Sequence, residues 1–177
     1  MKLHSLALAA FVMVAGGAAH ADTYSANGSI TFNDAVFNRP TTLTTLSAVG
    51  TAVHYDQLVI VGATPGPFDF RMQATPAGSF DTFLLLYSGL FNPASPLTGL
   101  VALNDDFGGS IAAGSGFSYP LAAGSLYTVI STTFSNTGAG DYITTVTTAV
   151  PEVGTYALMA LGLAFVGAAV RRRSTHA

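Results

Sequence analysis

The residues best suited to chemistry in this 177-residue chain stand together at Asn104, Asp105 and Asp106, and a Phe-Gly-Gly sequence follows them. Two carboxylates and an amide supply hard oxygen ligands of the kind that Ca²⁺ prefers. Short polar side chains beside glycine are equally typical of a tight turn, in which they hydrogen-bond to their own backbone. The spacing does not match an EF-hand loop. The sequence therefore leaves a calcium site and a simple turn both open.

Catalysis finds little support elsewhere between residues 22 and 150. The chain has no cysteine, which excludes thiol catalysis and cysteine-ligated zinc. His54 is the only histidine of this segment and stands in a strand-like pattern, and no activated-serine, P-loop or H-E-x-x-H motif occurs. We therefore predict that the protein is not an enzyme. A secreted hydrolase with an unrecognised site is the second alternative.

Residues 22–150 carry a strong excess of negative charge. Eight aspartates and two arginines, with no lysine and no glutamate, give a formal net charge of −6. Such a surface repels phosphate backbones. We therefore expect no nucleic-acid partner.

Residues 1–21 have the three parts of a secretion signal. Lys2 provides the basic start, an apolar run follows at 6–15, and small residues stand at Ala19 and Ala21. The run is too short to span a bilayer comfortably. The pattern predicts export and cleavage by signal peptidase after Ala21.

The C-terminal end has the composition of a membrane segment. Residues 153–170 carry no charge and are long enough to cross a bilayer core of about 30 Å as a transmembrane helix. The three arginines at 171–173 should remain in the cytoplasm by the positive-inside rule, together with residues 174–177. We therefore expect the precursor to lie in the inner membrane, with everything before Pro151 outside.

Pro151 and Glu152, the apolar segment after them and the arginine cluster of Arg171, Arg172 and Arg173 together resemble the PEP-CTERM sorting tail of bacterial surface proteins. In that family an exosortase, a membrane protease-transpeptidase, is thought to recognise and remove the tail. The resemblance implies a sorting tail at residues 151–173, an exosortase-type partner, and a mature protein at the cell surface or outside the cell. Here valine stands where the second proline of the signature is usual. A plain membrane anchor is the alternative.

Residues 22–150 predict a single antiparallel β-sandwich or jelly roll. Threonine, valine, phenylalanine and tyrosine are abundant, and Gly, Pro, Asn and Asp interrupt the chain at short intervals. Many short strands at close spacing are typical of such folds. The predicted strands cover residues 29–32, 41–46, 54–61, 68–74, 82–87, 101–103, 116–119, 127–133 and 142–148.

Four segments in order, at 80–87, 104–109, 121–130 and 140–146, carry a second resemblance. Their order is similar to that of the bacterial pre-peptidase C-terminal domain, a small jelly-roll module appended to secreted enzymes and surface proteins. The resemblance covers about residues 50–148 and implies an accessory module. It also implies that Asp81 lies near Asn104, Asp105 and Asp106, and in related modules such loops sometimes bind calcium.

The predicted function is therefore that of a non-enzymatic exported cell-envelope or extracellular-matrix protein. The alternative is a calcium- or polysaccharide-binding module on the same scaffold. An exposed aromatic strip would favour polysaccharide, but aromatic residues in strands are more often part of the core. The aromatic residues predicted to lie in the core are Phe68, Phe70, Phe83, Tyr87, Phe107, Phe117, Tyr127 and Phe134.

Overall fold

Short strands make up most of the computed structural model of the protein, which describes residues 9–12, 21–62 and 65–148. Two single-turn 3-10 helices, Phe107–Gly109 and Ile111–Ala113, lie between the ninth and tenth strands. The predicted all-β class is confirmed. The strands are β1 (Ala9–Val12), β2 (Thr23–Ile30), β3 (Val36–Phe37), β4 (Pro40–Thr42), β5 (Thr45–Leu46), β6 (Val53–Val61), β7 (Gly66–Thr75), β8 (Thr82–Ser88), β9 (Leu100–Asn104), β10 (Ser115–Leu121), β11 (Leu126–Thr133) and β12 (Gly140–Thr148).

The strands form two sheets that pack face to face. The larger has the order β1-β6-β11-β8-β9, and β3 also pairs with β6; the smaller has the order β10-β7-β12-β2. Strands β4 and β5 form a separate two-stranded hairpin. Among the described residues every strand pair is antiparallel except β1 with β6, which is parallel. The antiparallel β-sandwich predicted from the sequence is therefore confirmed.

The core between the sheets follows from the alternation of side chains along each strand. In β12, Tyr142, Thr144 and Val146 are buried, whereas Asp141 before them and Ile143 between them are exposed. Residues of both sheets, among them Leu84 and Met72, join one apolar cluster. The smaller sheet therefore has one buried and one solvent-facing side.

The larger sheet is covered on both faces, which explains the nearly continuous apolar sequence of β8. Leu84 and Leu86 point into the core between the sheets. Phe83, Leu85 and Tyr87 point the other way, into a second cluster. The loop residue Phe91 covers that cluster with its ring centroid 4.7 Å from that of Tyr87.

Most of the aromatic prediction is confirmed. Phe68, Phe70, Phe83, Tyr87 and Tyr127 are buried. Phe117 and Phe134 are half-buried and pack against the two clusters. The prediction was wrong for Phe107, which is 40% exposed, because it lies in the loop after β9 rather than in a strand.

Two strand predictions differ from the structure. The single strand predicted at 41–46 is a hairpin of two short strands, since residues 43–44 form its turn and the Thr44 amide donates to the Thr42 hydroxyl at 3.2 Å. The strand predicted at 29–32 starts at Thr23 and ends at Ile30. The inward positions of this strand include the small residues Ala26 and Gly28. The alternation of large apolar and polar residues that indicates a strand is therefore weak there.

The predicted terminal segments lie largely outside the described residues. Ala19, the tail at 151–173 and the predicted transmembrane helix at 153–170 are all outside them, whereas Ala21 is described and exposed. Within the described ranges, no helix is both long and apolar enough to cross a bilayer.

Candidate metal centre

The antiparallel pairing of β8 and β9 positions the acidic residues singled out in the sequence. Asp81 immediately precedes β8, and Asp105 and Asp106 immediately follow β9. The two strands pair with Leu84 opposite Asn104. Continuing this register places residue 106 beside residue 82, so the end of β9 meets the start of β8. Asp81 therefore shares one corner of the sandwich with Asp105 and Asp106, which lie more than 20 positions later in the sequence.

The three carboxylates approach closely enough to hold one cation. One oxygen each from Asp81, Asp105 and Asp106 lies within 4.8 Å of the other two. We call these three residues the acidic cluster. In each of them the Oδ1 atom is buried and has no hydrogen-bond partner. A buried polar atom without a partner costs free energy, so the arrangement is unfavourable unless a ligand compensates it.

Burial and the repulsion of neighbouring carboxylates disfavour the ionised states of Asp81 and Asp105. Burial, together with the nearby charges of Asp81 and Asp106 and against the opposing effect of Arg39, raises the pKa of Asp105 to about 6. Burial also raises the pKa of Asp81, and Asp106 adds to this effect. A bound dication would favour the ionised forms and reverse these shifts.

Arg39 provides a fixed positive charge behind the acidic cluster. The residue is 1% exposed, and its guanidinium lies 3.9 Å from the ring centroid of Phe83 and 4.6 Å from that of Phe134. Its Nε and Nη2 donate to the Phe134 carbonyl at 2.9 and 2.8 Å, and its Nη1 donates to the Pro40 carbonyl at 3.1 Å. The Phe134 amide in turn donates to the Asp81 carbonyl at 2.9 Å. Arg39 therefore anchors the backbone that carries Asp81.

The loop after β9 is a turn, but its aspartates do not stabilise it in the way that the turn interpretation requires. Asp106 occupies the N-cap of the first 3-10 turn and makes no capping hydrogen bond with its side chain. The turn is closed instead by the Phe107 amide, which donates to the Gly114 carbonyl at 2.6 Å. Gly114 has φ = 72°, and a Cβ there would lie 2.1 Å from the Met72 carbonyl oxygen. Backbone contacts and glycine therefore shape the loop, and the carboxylates remain available to a ligand.

Asn104 has a structural contact of its own. Its Oδ1 accepts a hydrogen bond from the Gly116 amide at 3.0 Å, which ties the end of β9 to β10. On the far side of the loop, the Arg71 guanidinium lies 3.0 Å from the ring centroid of Phe107. These contacts fix both ends of the segment that carries Asp105 and Asp106.

A second polar group lies between the sheets and was not identified from the sequence. The Tyr142 hydroxyl donates to Asp56 Oδ2 at 2.9 Å, and the Ser131 and Thr144 hydroxyls are 2.8 Å apart. These four side chains line a cleft of about 240 Å³. Burial raises the pKa of Asp56, while the Tyr142 hydrogen bond opposes that shift. The alternation of β12 predicts an inward Tyr142, but no sequence pattern pairs it with Asp56, 86 positions earlier.

His54 has the structural role expected for an isolated histidine in a strand. Its Nδ1 is 2.8 Å from the Asp34 carbonyl oxygen. Its ring lies edge-on to Phe32, with centroids 5.6 Å apart.

Comparison with known proteins finds structural similarity without a family assignment. No protein-family model matches the chain, and no curated protein matches it. The fold is similar to the pre-peptidase C-terminal domain of collagenase from Bacillus anthracis, with 12% identity, a TM-score of 0.47, and coverage of 81% of this chain and 99% of that one. It is also similar to PliG, a periplasmic inhibitor of g-type lysozyme from Aeromonas hydrophila, with 8% identity, a TM-score of 0.44, and coverage of 81% and 97%. The adhesin domain of Lys-gingipain from Porphyromonas gingivalis matches with 13% identity, a TM-score of 0.34, and coverage of 75% and 99%.

Proposed function

We propose that this protein is a non-enzymatic exported surface module whose β-sandwich binds Ca²⁺ through Asp81, Asp105 and Asp106. The observation that carries the proposal is that each of the three clustered carboxylates has a buried Oδ1 with no hydrogen-bond partner. A dication among these atoms would satisfy them and remove the repulsion between the carboxylates. The all-oxygen donor set suits a hard cation rather than zinc or copper.

The three aspartates supply only part of a calcium coordination shell. Ca²⁺ takes six to eight oxygen ligands, so backbone carbonyls, water or the Asn104 amide oxygen must complete it. Asn104 Oδ1 already accepts one hydrogen bond from Gly116 and retains a second lone pair. We therefore assign the three carboxylates as the principal ligands and Asn104 as an auxiliary one.

The residues of the cleft between the sheets support the non-enzymatic part of the proposal. Asp56 is the one carboxylate that lines this cleft, and its Oδ2 is already bound by the Tyr142 hydroxyl. Glycoside hydrolysis needs two carboxyl groups on opposite sides of the bond that is cleaved. A single hydrogen-bonded carboxylate does not meet that requirement.

Thermal unfolding of the mature protein, with Ca²⁺ and with a chelator, tests the metal site. Calcium at 100 times its dissociation constant should raise the free energy of unfolding by about 2.7 kcal/mol, which for a domain of this size is a melting shift of several degrees. The shift should be lost in Asp105→Asn/Asp106→Asn. The control is Asp22→Asn/Asp141→Asn, which removes the same charge from two exposed positions and should keep the shift. Equal melting temperatures of the wild type with millimolar calcium and with chelator would show that the loop is only a turn.

The proposal also includes sorting by the PEP-CTERM-like tail at residues 151–173. It is supported by Pro151-Glu152, the uncharged segment that follows, and the terminal arginines at 171–173. Protein extracted from the surface of the native host should lack residues beyond about Pro151, and intact-mass measurement checks this. Retention of the arginines in the mature form would leave only a plain membrane anchor.

A further inference from the structure

One edge of the larger sheet is occupied by a segment that the mature protein should lack. Strand β1, Ala9–Val12, pairs in parallel with β6 from Leu58 to Val61. At the other end of β6, strand β3 pairs with Val53 and His54, and the Tyr55 amide donates to the Ala35 carbonyl at 3.2 Å. The outer edge of β6 is therefore covered at 58–61 by residues 9–12.

This inference rests on the export part of the proposed function, because residues 9–12 belong to the predicted signal. Cleavage after Ala21 would remove β1 and expose the outer N–H and C=O groups of residues 58–61. An exposed edge of this kind is a template for another strand. The position of β1 shows that an extended strand fits there.

Residues 57–61 of β6 lack the devices that protect other edges of the sandwich from pairing. Strand β10, at one edge of the smaller sheet, includes Pro120, which cannot donate a backbone hydrogen bond. Strand β9, at the opposite edge of the larger sheet, has a register shift where it meets Leu86 and Tyr87, and such irregularities also protect edges. Residues 57–61 read Gln-Leu-Val-Ile-Val, with no charge, proline or glycine.

We propose that two copies of the mature protein pair antiparallel along residues 57–61 of β6, so that the larger sheet continues from one copy into the other. Each face of the larger sheet must continue as the same face in the second copy. This happens only if the residue numbers of two directly opposed residues add up to an even number. A register centred on Val59 meets this condition and places Gln57 opposite Val61 of the second copy. It also keeps Asp56, which is bound to Tyr142, outside the paired stretch.

A second copy fits this edge better than an open-ended chain of copies would. Antiparallel pairing about a two-fold axis uses the same strand of both molecules, so the contact is satisfied at two copies. The opposite edge of the sheet is irregular and offers no equivalent partner for further growth. The uncharged sequence of residues 57–61 is also compatible with itself in this orientation, because Val59 faces Val59 and Leu58 faces Ile60 of the other copy.

The test uses the mature protein recovered after export with its own N-terminal segment, and it measures intact mass and then light scattering over a range of concentrations. The wild type should begin at Asp22 and be dimeric. Gln57→Lys/Val61→Lys should be monomeric, because each ammonium would oppose another across the two-fold axis. Gln57→Lys/Val61→Glu should restore the dimer, because opposite charges would then face each other. Both variants change the same two half-buried positions, so each serves as the folding control for the other.

The outcomes separate this inference from the proposed function. A wild-type monomer that begins at Asp22 would overturn the dimer and leave export intact. Recovered protein that retains residues 1–21 would overturn both, since β1 would still cover the edge. A dimer that persists in the lysine–lysine variant would place the contact elsewhere and overturn the β6 pairing. A wild-type monomer bound to a different polypeptide along β6 would overturn it as well.

Discussion

Asp56 and Asp105 are both partly buried carboxyl groups whose pKa values burial raises. They differ in their hydrogen-bond partners. Asp56 lies between the sheets and accepts a hydrogen bond from Tyr142. Asp105 lies beside two more carboxylates and has an Oδ1 without a partner. The fold therefore satisfies the first carboxylate internally, whereas we propose that a bound cation satisfies the second group.

The largest expected effect comes from removing the positive charge of Arg39 beside the acidic cluster. Arg39→Met would leave the Phe134 and Pro40 carbonyls without their donors and the cluster without its compensating charge. We expect a loss of about 3 kcal/mol in the free energy of unfolding with chelator present. Added calcium should restore more stability than it adds to the wild type. Urea unfolding with and without calcium measures both quantities.

Arg71→Met is the matched control, because Arg71 lies over the Phe107 ring in the same region. It should cost less than Arg39→Met. An Arg39→Met protein that responds to calcium no more than the wild type would separate Arg39 from the cluster.

The next effect concerns the glycine that makes room for Tyr142. A Cβ at position 28 would lie 2.3 Å from the Tyr142 ring, so Gly28→Ala must displace that ring and its hydrogen bond to Asp56. We expect a loss of about 2 kcal/mol from this overpacking, measured by urea unfolding. Asn27→Ala, at the exposed neighbouring position, should change stability by less than about 0.5 kcal/mol. Equal effects of the two substitutions would show that the Tyr142 ring moves freely.

A smaller effect is expected from removing the hydroxyl alone. Tyr142→Phe should cost about 1.5 kcal/mol at pH 7, because it leaves the Asp56 carboxylate without its donor. The cost should shrink toward pH 4, where protonation of Asp56 removes the charge. Asp56→Asn keeps an acceptor for Tyr142 and should cost less. If Asp56→Asn were the more damaging change, the carboxylate charge itself would be the stabilising feature.

The smallest effect is a pH dependence that differs between the two carboxylate groups. The pKa of Asp105 is about 6 in the folded protein, above its ordinary value of 3.8, so the metal-free fold loses stability as the pH rises from about 4 to about 6 and loses no more above that. With chelator present, the part of the melting temperature that depends on Asp105 should therefore rise as the pH falls from 7 toward 4. Saturating calcium should reverse that trend, since protons compete with the metal.

Melting curves of the wild type and Asp105→Asn from pH 4 to pH 7 isolate this contribution by difference. Asp22→Asn serves as the exposed control and should behave like the wild type. A difference between wild type and Asp105→Asn that does not vary with pH would contradict the raised pKa.

The architecture was more predictable than the sites because the pattern of residues within a short segment is enough to indicate a strand. The alternation of β12 and the apolar run of β8 each follow from which faces are buried, and both strands were predicted within two residues of their observed bounds. The short strand β3 was missed because two residues cannot establish a period. The hairpin at 40–46 was read as one strand because threonine suits both a strand and its turn.

The candidate site was predictable only where its residues are adjacent in sequence. Asp105 and Asp106 were identified from their own loop, and Asp81 came from a family resemblance rather than from spacing. Arg39 was not assigned to the site, because its link to the acidic cluster passes through the backbone of Phe134, 95 positions away. The Asp56–Tyr142 contact likewise depends on how the two sheets face each other. Such relations exist only in three dimensions.

The pairing of β2 with β12 has a consequence for the timing of folding. Thr23 lies opposite Thr147, so the smaller sheet joins the first and last strands that the structure describes after the predicted cleavage site. Contacts of such long sequence separation form late, because the whole intervening chain must be closed into a loop. In a chain exported from its N-terminus, as we propose, β2 would emerge first and remain without β12 until almost all of residues 22–148 had crossed. The protein would therefore stay unfolded during translocation and complete its sandwich only when the segment just before the sorting tail reaches the far side of the membrane.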